Sequence, residues 1–231
     1  MTDETLAFSP DHFSGLARVF PLPNLVMFPH VMQAMHIFEP RYRALFEEAV
    51  EDDRLIALGV LAPGWEADYE GRPALRETAC LCRIASHQRT PEGTYNVLLL
   101  GVRRVQLVRE LPPEKPFRVI EASILDDLLP AQVSAEAGAT AQRQLLAAFK
   151  QAMPKIPDSY DQLDQLLGSQ ITLGMLTDIV AYTVDLELEV KLALLAEQDV
   201  YRRTHMLLET LGKPPSGKAQ RRPFPPAFSL N

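Results

Sequence analysis

The chain has 231 residues, of which 47% are hydrophobic and 23% charged, and its formal net charge is −7. These fractions are ordinary for a folded globular protein and exclude a disordered chain. The negative charge argues against broad affinity for nucleic acid, which depends on Lys and Arg neutralising phosphates. No apolar run approaches the roughly 20 residues of a membrane span, and no secretory signal pattern opens the sequence, so we expect a cytoplasmic protein without a membrane partner.

The first half of the chain, residues 18–126, is expected to form short strands around one helix. The helix is predicted at 41–50, with Pro40 in its first turn. Strands are predicted at 55–61, 80–86, 95–100, 102–108 and 117–125. Gly101 separates two of these strands, which indicates a bulge or sharp bend of the kind that closes a small barrel. The pattern predicts a compact, barrel-like β domain.

Beyond Leu128 the apolar residues follow a helical period. Helices are predicted at 142–153, after an N-cap at Thr172, after an N-cap at Asp185, and at 198–211 with a stop at Gly212. The last segment has four basic residues, five prolines and no acidic residue. We therefore divide the chain into a β domain at 1–127, a helical bundle at 128–212 and a basic, proline-rich tail at 213–231.

The stretch 27–35 combines three methionines and a phenylalanine with two turn points. Methionine-rich surfaces adapt to varied apolar partners, which suits a protein that binds unfolded segments. The candidate peptide-binding residues are Met27, Phe28, Pro29, Met32 and Met35. A nearby strand edge would accept an extended peptide through main-chain hydrogen bonds. The alternative, that these residues fill the core of the first two strands, stays open.

Nothing in the sequence indicates catalytic machinery, a cofactor or a metal. Cys80, Cys82 and His87 lack a fourth metal ligand, and the two cysteines are expected to be buried on a strand. The segment 212–219 resembles a phosphate loop, but Ala219 replaces the Mg²⁺-binding hydroxyl, and both of its prolines have no N–H to offer. No nucleophile is paired with a base. We predict a protein that is not an enzyme.

Two adjacent arginine pairs, Arg103–Arg104 and Arg202–Arg203, are expected to be ordinary salt-bridging surface. RNA contact is the alternative, although no alternation of aromatic and basic residues accompanies them. The adjacent acidic pairs are expected to be solvated charge, because neighbouring side chains diverge in direction; these pairs are Glu47–Glu48 and Asp126–Asp127.

Several of these segments resemble the amino-terminal substrate-binding domain of Lon-type proteases. Residues 20–22 and 26–29 resemble the opening strand and turn of that family, and the run 36–42, His-Ile-Phe-Glu-Pro-Arg-Tyr, resembles the beginning of its first helix. The run Gly-Val-Arg-Arg-Val at 101–105 follows in the same order. Matching positions in the later helices are Leu176, Asp178, Ile179, Lys191, Leu194, Leu195, Glu197, Asp199, Val200 and Arg203.

The resemblance implies an α+β fold in which a PUA-like pseudobarrel is joined to a small helical bundle. It implies a stand-alone, non-catalytic module that binds exposed apolar segments of unfolded or tagged proteins, with a separate Lon-type protease as a candidate partner. A PUA-like RNA-binding module is the alternative, and an enzyme with an unrecognised pocket is a third. A subsidiary hypothesis is that the basic tail occupies the peptide groove until a client displaces it.

Overall fold

The computed structural model describes residues 9–10, 13–69, 71–130, 134–152 and 171–212. The predicted tail at 213–231, its hypothetical place in the groove, and nearly all of the segment that resembles a phosphate loop lie outside the described residues. Met153, the last residue of one predicted helix, lies outside them too. Among the helices of the described part, none is long and apolar enough to cross a membrane.

The chain is an α+β protein, as predicted: in the described residues, six strands are followed by four helices, and a fifth helix lies between the second and third strands. The strands are β1 (Leu16–Leu22), β2 (Met32–Ile37), β3 (Leu55–Val60), β4 (Thr78–Arg89), β5 (Tyr95–Glu110) and β6 (Arg118–Leu125). The helices are α1 (Pro40–Glu51), α2 (Ala135–Ala152), α3 (Leu173–Thr183), α4 (Leu188–Ala196) and α5 (Val200–Leu211).

The long strand β5 closes the sheet into a barrel. One edge of β5 pairs with β4, and the sheet continues in the order β4-β3-β1-β6. The other edge of β5 pairs with β2 through residues 95–100 and with β6 through residues 104–110. Because β6 returns to β5, five strands form a ring, and β2 lies beside the ring as an added strand.

Gly101 marks the place where the loop between β1 and β2 meets β5. The His30 amide donates to the Gly101 carbonyl at 2.8 Å, and the Gly101 amide donates to the Val31 carbonyl at 2.9 Å. Two loop residues thus face one residue of β5, and His30, with φ of 64°, has the left-handed conformation typical of such a bulge. A side chain at position 101 would overlap the Phe28 carbonyl. The predicted bulge is confirmed, but β5 runs through it as one strand.

Two hydrophobic clusters lie on opposite faces of the sheet. The smaller cluster fills the barrel with short side chains from all five ring strands. The larger cluster lies between the outside of the barrel, α1 and the helices from α2 to α5. Strand β3 contributes alternate residues to both clusters, which explains its unbroken apolar run. Cys80 and Cys82 belong to the larger cluster and are buried on β4, as predicted.

The helix starts confirm one predicted cap and correct another. The Thr172 hydroxyl accepts a hydrogen bond from an amide of the first turn of α3 at 3.2 Å. Asp185 does not cap α4, which begins at Leu188 with Glu187 in the cap position. The chain needs residues 184–187 in order to turn between the two helices: the Val184 amide still closes α3, and the first bond of α4 ends on the Glu187 carbonyl.

The last helix, α5, ends at Leu211 before Gly212, as predicted, and Asp199 caps its start by accepting bonds from the Tyr201 and Arg202 amides at 2.8 and 3.1 Å. The larger cluster includes residues of both the barrel and the helices. The division of the chain at 127/128 and 212/213 stays a prediction.

Candidate functional site

The structure places the five candidate peptide-binding residues in two different environments. Met27 and Phe28 are 1% and 0% exposed in the larger cluster, and Pro29 is also buried, because this loop packs its side chains inward as it crosses β5. Met32 is 49% exposed, and Met35 is half-buried. A peptide that lies on the surface therefore meets Met32 and Met35, while the first three residues support the loop from within.

The exposed side chains of β2 alternate along the strand. Met32, Ala34 and His36 face outward, whereas Ile37 is buried and Gln33 and Met35 are partly buried. The outward residues lie opposite Leu100, Leu98 and Asn96 of β5, in that order. His36 Nδ1 lies 2.8 Å from the Asn96 side-chain oxygen. The His36 ring stacks on the Phe38 ring, with 6.1 Å between the two ring centres. Apolar and neutral polar groups therefore share this face.

The outer edge of β2 has unpaired amides. Since the Gly101 amide bonds to the Val31 carbonyl, the opposed residues Met32 and Leu100 form a non-hydrogen-bonded pair, and the main-chain groups of Gln33, Met35 and Ile37 point toward β5. Those of Met32, Ala34 and His36 point away from it. Among the described residues, these three amides have no hydrogen-bond partner. We call them the open edge.

Side chains cover part of this edge. The Gln33 side-chain amide donates to the Ala34 carbonyl, and the Tyr182 hydroxyl of α3 donates to the Gln33 side-chain oxygen. The three amides are left available, so the edge offers donors more readily than acceptors. An exposed row of main-chain donors is a template on which an extended chain can pair.

A shallow groove lies on the outer face of β2, β5 and β4. Its volume is about 530 Å³, and its outward side chains are those of Ala34, His36, Ser86, Gln88, Asn96 and Leu98. None of these side chains is a carboxylate, a lysine or an arginine. The groove and the open edge adjoin along β2, and together they suit an uncharged extended segment.

Between the sheet and the helices lies a cluster of buried charges, which we call the ion cluster. Arg104 of β5 makes two hydrogen bonds to the Asp178 carboxylate of α3 and one, at 3.0 Å, to the Leu195 carbonyl. Arg203 of α5 makes two bonds of 2.7 Å to Asp127. The side chains of Arg104, Asp178 and Arg203 are 2%, 1% and 1% exposed. These contacts attach α3 and α4 to β5, and α5 to the segment that follows β6.

The electrostatics of the ion cluster follow from its burial. Burial raises the pKa of Asp178, and the Arg104 guanidinium opposes that rise. Burial also acts to raise the pKa of Asp127, but its bonds to Arg203 outweigh this and hold the pKa below the ordinary value. His30 lies at the rim, 4.0 Å from Asp178, and burial lowers the pKa of its imidazole.

The ion cluster overturns the sequence interpretation of these charges. Arg104 and Arg203 are buried rather than surface residues, and each guanidinium nitrogen of Arg104 already bonds within the chain, so Arg104 is not placed to contact RNA phosphate. Asp127 is bonded to Arg203, although its side chain is still 32% exposed, so it is only partly solvated. Asp178 and Arg203 lie among apolar residues on the inward faces of two helices. Charges at such positions are almost always paired, so this pattern in the sequence was a signal for the ion cluster.

The remaining candidate chemistry is structural. Burial raises the pKa of the Cys80 thiol, which disfavours the reactive thiolate. Glu48 bonds to Arg18 at 2.8 Å, and Glu47 accepts from the Tyr95 hydroxyl at 2.8 Å. Within the part of the chain that the structure describes, no group of three or more His, Cys, Asp or Glu residues could hold a metal ion.

Comparison with known proteins connects this fold to one family. The family model of the ATP-dependent protease La (Lon) substrate-binding domain matches residues 17–213. A Lon protease of Roseiflexus castenholzii is 28% identical over 202 residues, which are 87% of this chain and 24% of that protein. The chain spans about a quarter of the length of the curated relatives it matches.

Solved structures agree at the level of the fold. A Lon amino-terminal domain protein from Xanthomonas campestris superposes with a TM-score of 0.61 at 21% identity, covering 84% of this chain and 97% of that one. The amino-terminal domain of a Mycobacterium avium complex Lon protease gives a TM-score of 0.64 at 15% identity, covering 85% and 97%. With most of its length inside the family match, the chain belongs to the Lon substrate-binding domain family.

Proposed function

We propose that this chain is a non-catalytic module that binds exposed apolar segments of unfolded or tagged proteins by adding them as a strand to the open edge of β2. The observation that carries the proposal is the set of amides at Met32, Ala34 and His36, which donate to no other residue that the structure describes. Strand addition gives affinity through main-chain hydrogen bonds, which any sequence offers, and this suits a binder of varied clients.

The neighbouring side chains would select apolar clients. An added strand places alternate residues over the outer face of β2, where Met32, Leu98 and Leu100 are at least partly exposed. The methionine adapts its shape to different partners because it is unbranched and flexible. Since the groove lining carries no formal charge, moderate salt should change the affinity little.

The family suggests the partners. Relatives four times longer are named Lon proteases, and this chain matches their substrate-binding domain. We propose that it delivers bound clients to a separate Lon-type protease and needs no cofactor for binding.

The proposal is tested by fluorescence polarisation with a labelled, permanently unfolded polypeptide and the variant Ala34→Pro. Proline removes the Ala34 amide from the open edge and leaves every bond between β2 and β5 in place, because position 34 does not donate to β5. We expect the affinity for the polypeptide to fall about fivefold or more, because one main-chain hydrogen bond is lost and the proline ring blocks the open edge. The melting temperature should change little.

Two further variants and a second ligand sharpen the test. Met32→Ala should weaken binding, whereas Val108→Lys, a change at an apolar residue of β5 that is 64% exposed and distant from β2, should not. Phe28→Ala is unsuitable, since it opens a cavity in the core. Equal affinity of the native chain and Ala34→Pro contradicts the proposal, as does binding to single-stranded RNA alone that collapses with salt.

A further inference from the structure

A second concavity, the Arg41 pocket, lies where the loop after β3 meets the start of α1 and of β6. Its volume is about 280 Å³, and its wall includes Arg41, Tyr42, Tyr69, Arg72, Phe117 and Arg118. Pockets for drug-sized ligands have about 300–1,000 Å³. This pocket is therefore large enough for the end of a chain and too small for a nucleotide-sized cofactor.

The wall carries more positive than negative charge. Arg72 and Arg118 share one carboxylate, Glu110: Arg72 Nη1 bonds to it at 2.7 Å and Arg118 Nε at 3.0 Å. Arg41 is paired with Glu39, whose carboxylate lies 3.0 Å from two of its nitrogens. Among the described residues, three guanidinium groups thus face two carboxylates. The amino-terminal end of α1, at Pro40, adds the positive end of a helix dipole.

Two donors of the wall make no hydrogen bond to a described residue. Arg41 Nη2 is buried and, although it is close to Glu39, no hydrogen bond of acceptable geometry reaches it. The Tyr42 side chain belongs to a residue that is 4% exposed, and its hydroxyl makes no hydrogen bond to a described residue. Buried polar groups of native proteins are nearly always bonded, so the buried Arg41 nitrogen, which lies beside Glu39 without a hydrogen bond, points to a missing partner. The Tyr42 hydroxyl is not among the fully buried atoms, so it is accessible as a donor.

The Arg41 guanidinium is also held in a fixed orientation. Its central carbon lies 4.8 Å from the Tyr42 ring centre and 5.1 Å from the Tyr69 ring centre. Stacking between two rings fixes the plane of the guanidinium, which prepares its edge for a planar anion. Burial raises the pKa of Tyr42, so its hydroxyl keeps its proton and acts as a donor.

We propose that the Arg41 pocket binds the terminal carboxylate of a polypeptide. The two unbonded donors would take the carboxylate oxygens, and Phe117 with the neighbouring prolines would contact the last side chain. A carboxylate fits better than a phosphate, because a planar two-oxygen group matches one guanidinium edge and one hydroxyl. The inference rests on the proposed function in naming a client's end as the ligand, but it uses a surface separate from the open edge.

The test compares two fluorescein-labelled, alanine-rich peptides that end in leucine, one as the free acid and one as the carboxyl-terminal amide. We expect the free acid to bind about tenfold more tightly than the amide, because its charged carboxylate accepts hydrogen bonds that the neutral amide cannot replace. Tyr42→Phe and Arg41→Lys should each remove most of that preference. Tyr95→Phe is the matched control, because its hydroxyl donates to Glu47 at 2.8 Å outside the pocket and its removal should leave the preference unchanged.

Several outcomes overturn the inference. Equal binding of acid and amide to the native chain does so, and so does a preference that survives both Tyr42→Phe and Arg41→Lys. Competition by acetate at the same concentration as the peptide reduces the pocket to a general anion site.

The two proposals fail separately. Ala34→Pro should weaken binding of the unfolded polypeptide and leave the acid-to-amide ratio of the short peptides unchanged. If the short acid and amide peptides bind equally well but Ala34→Pro weakens binding of the unfolded polypeptide, strand addition is supported and the carboxylate site is excluded.

Discussion

Asp178 is the residue on which the buried charges between the sheet and the helices depend. In Asp178→Ala, Arg104 keeps the Leu195 carbonyl at 3.0 Å and a longer contact of 3.4 Å to Asp127, but it loses both bonds to its main partner. Removing one member of a buried ion pair costs about 3–5 kcal/mol, because the other charge stays desolvated. For a chain of this size, such a loss lowers the melting temperature by roughly 6–20 °C.

Thermal unfolding followed by circular dichroism measures this loss, and an exposed pair supplies the control. The side chains of Arg109 and Glu121 are 63% and 38% exposed. Glu121→Ala should therefore change the free energy of unfolding by no more than about 1 kcal/mol. The double variant Arg104→Met with Asp178→Leu should recover most of the stability lost in Asp178→Ala, since it leaves no unpaired charge. Similar losses for Asp178→Ala and Glu121→Ala would refute the reasoning.

Four further variants test the core, the bulge and the ion cluster. Phe28→Ala should cost about 3–5 kcal/mol of unfolding free energy in a denaturant titration, whereas Met32→Ala, at a half-exposed position, should cost less than about 1 kcal/mol. Gly101→Ala should destabilise by roughly 1–3 kcal/mol in the same titration, because its methyl group overlaps the Phe28 carbonyl. The pKa of Asp127 in the folded state lies below its ordinary value of 3.8. Its contribution to the free energy of unfolding is therefore present above pH 3.8 and is lost as the pH falls through the lower, folded-state pKa. Asp127→Asn should therefore be less stable at neutral pH and lose less stability on acidification, which melting curves at several pH values would show.

Local patterns predicted the elements well where one signal decided each of them. The apolar face of α1, the hydroxyl of Thr172 and the stop at Gly212 act within a few residues, so they can be read without the rest of the fold. Gly101 was predicted as a bulge for the same reason. The partner of that bulge, the loop at 28–31, could not be predicted, because it lies 70 residues away in the chain.

The methionine stretch shows why the site was only partly predictable. Residues 27–35 have similar composition throughout, yet Phe28 is buried and Met32 is half exposed. The difference comes from the crossing over β5, which turns the loop inward before β2 emerges at the outside of the barrel. The arginine pair was misinterpreted for a related reason: Arg103 and Arg104 face opposite sides of β5, and the partner of Arg104 lies 74 residues further on.

Amide hydrogen exchange of β2, followed by nuclear magnetic resonance with and without the unfolded polypeptide, tests strand addition most directly. The account predicts an alternating response: the amides of Met32, Ala34 and His36 gain protection on binding, while those of Gln33, Met35 and Ile37 are already protected by β5 and change little. Binding that leaves the first three amides unprotected, or that protects another surface instead, would contradict the account.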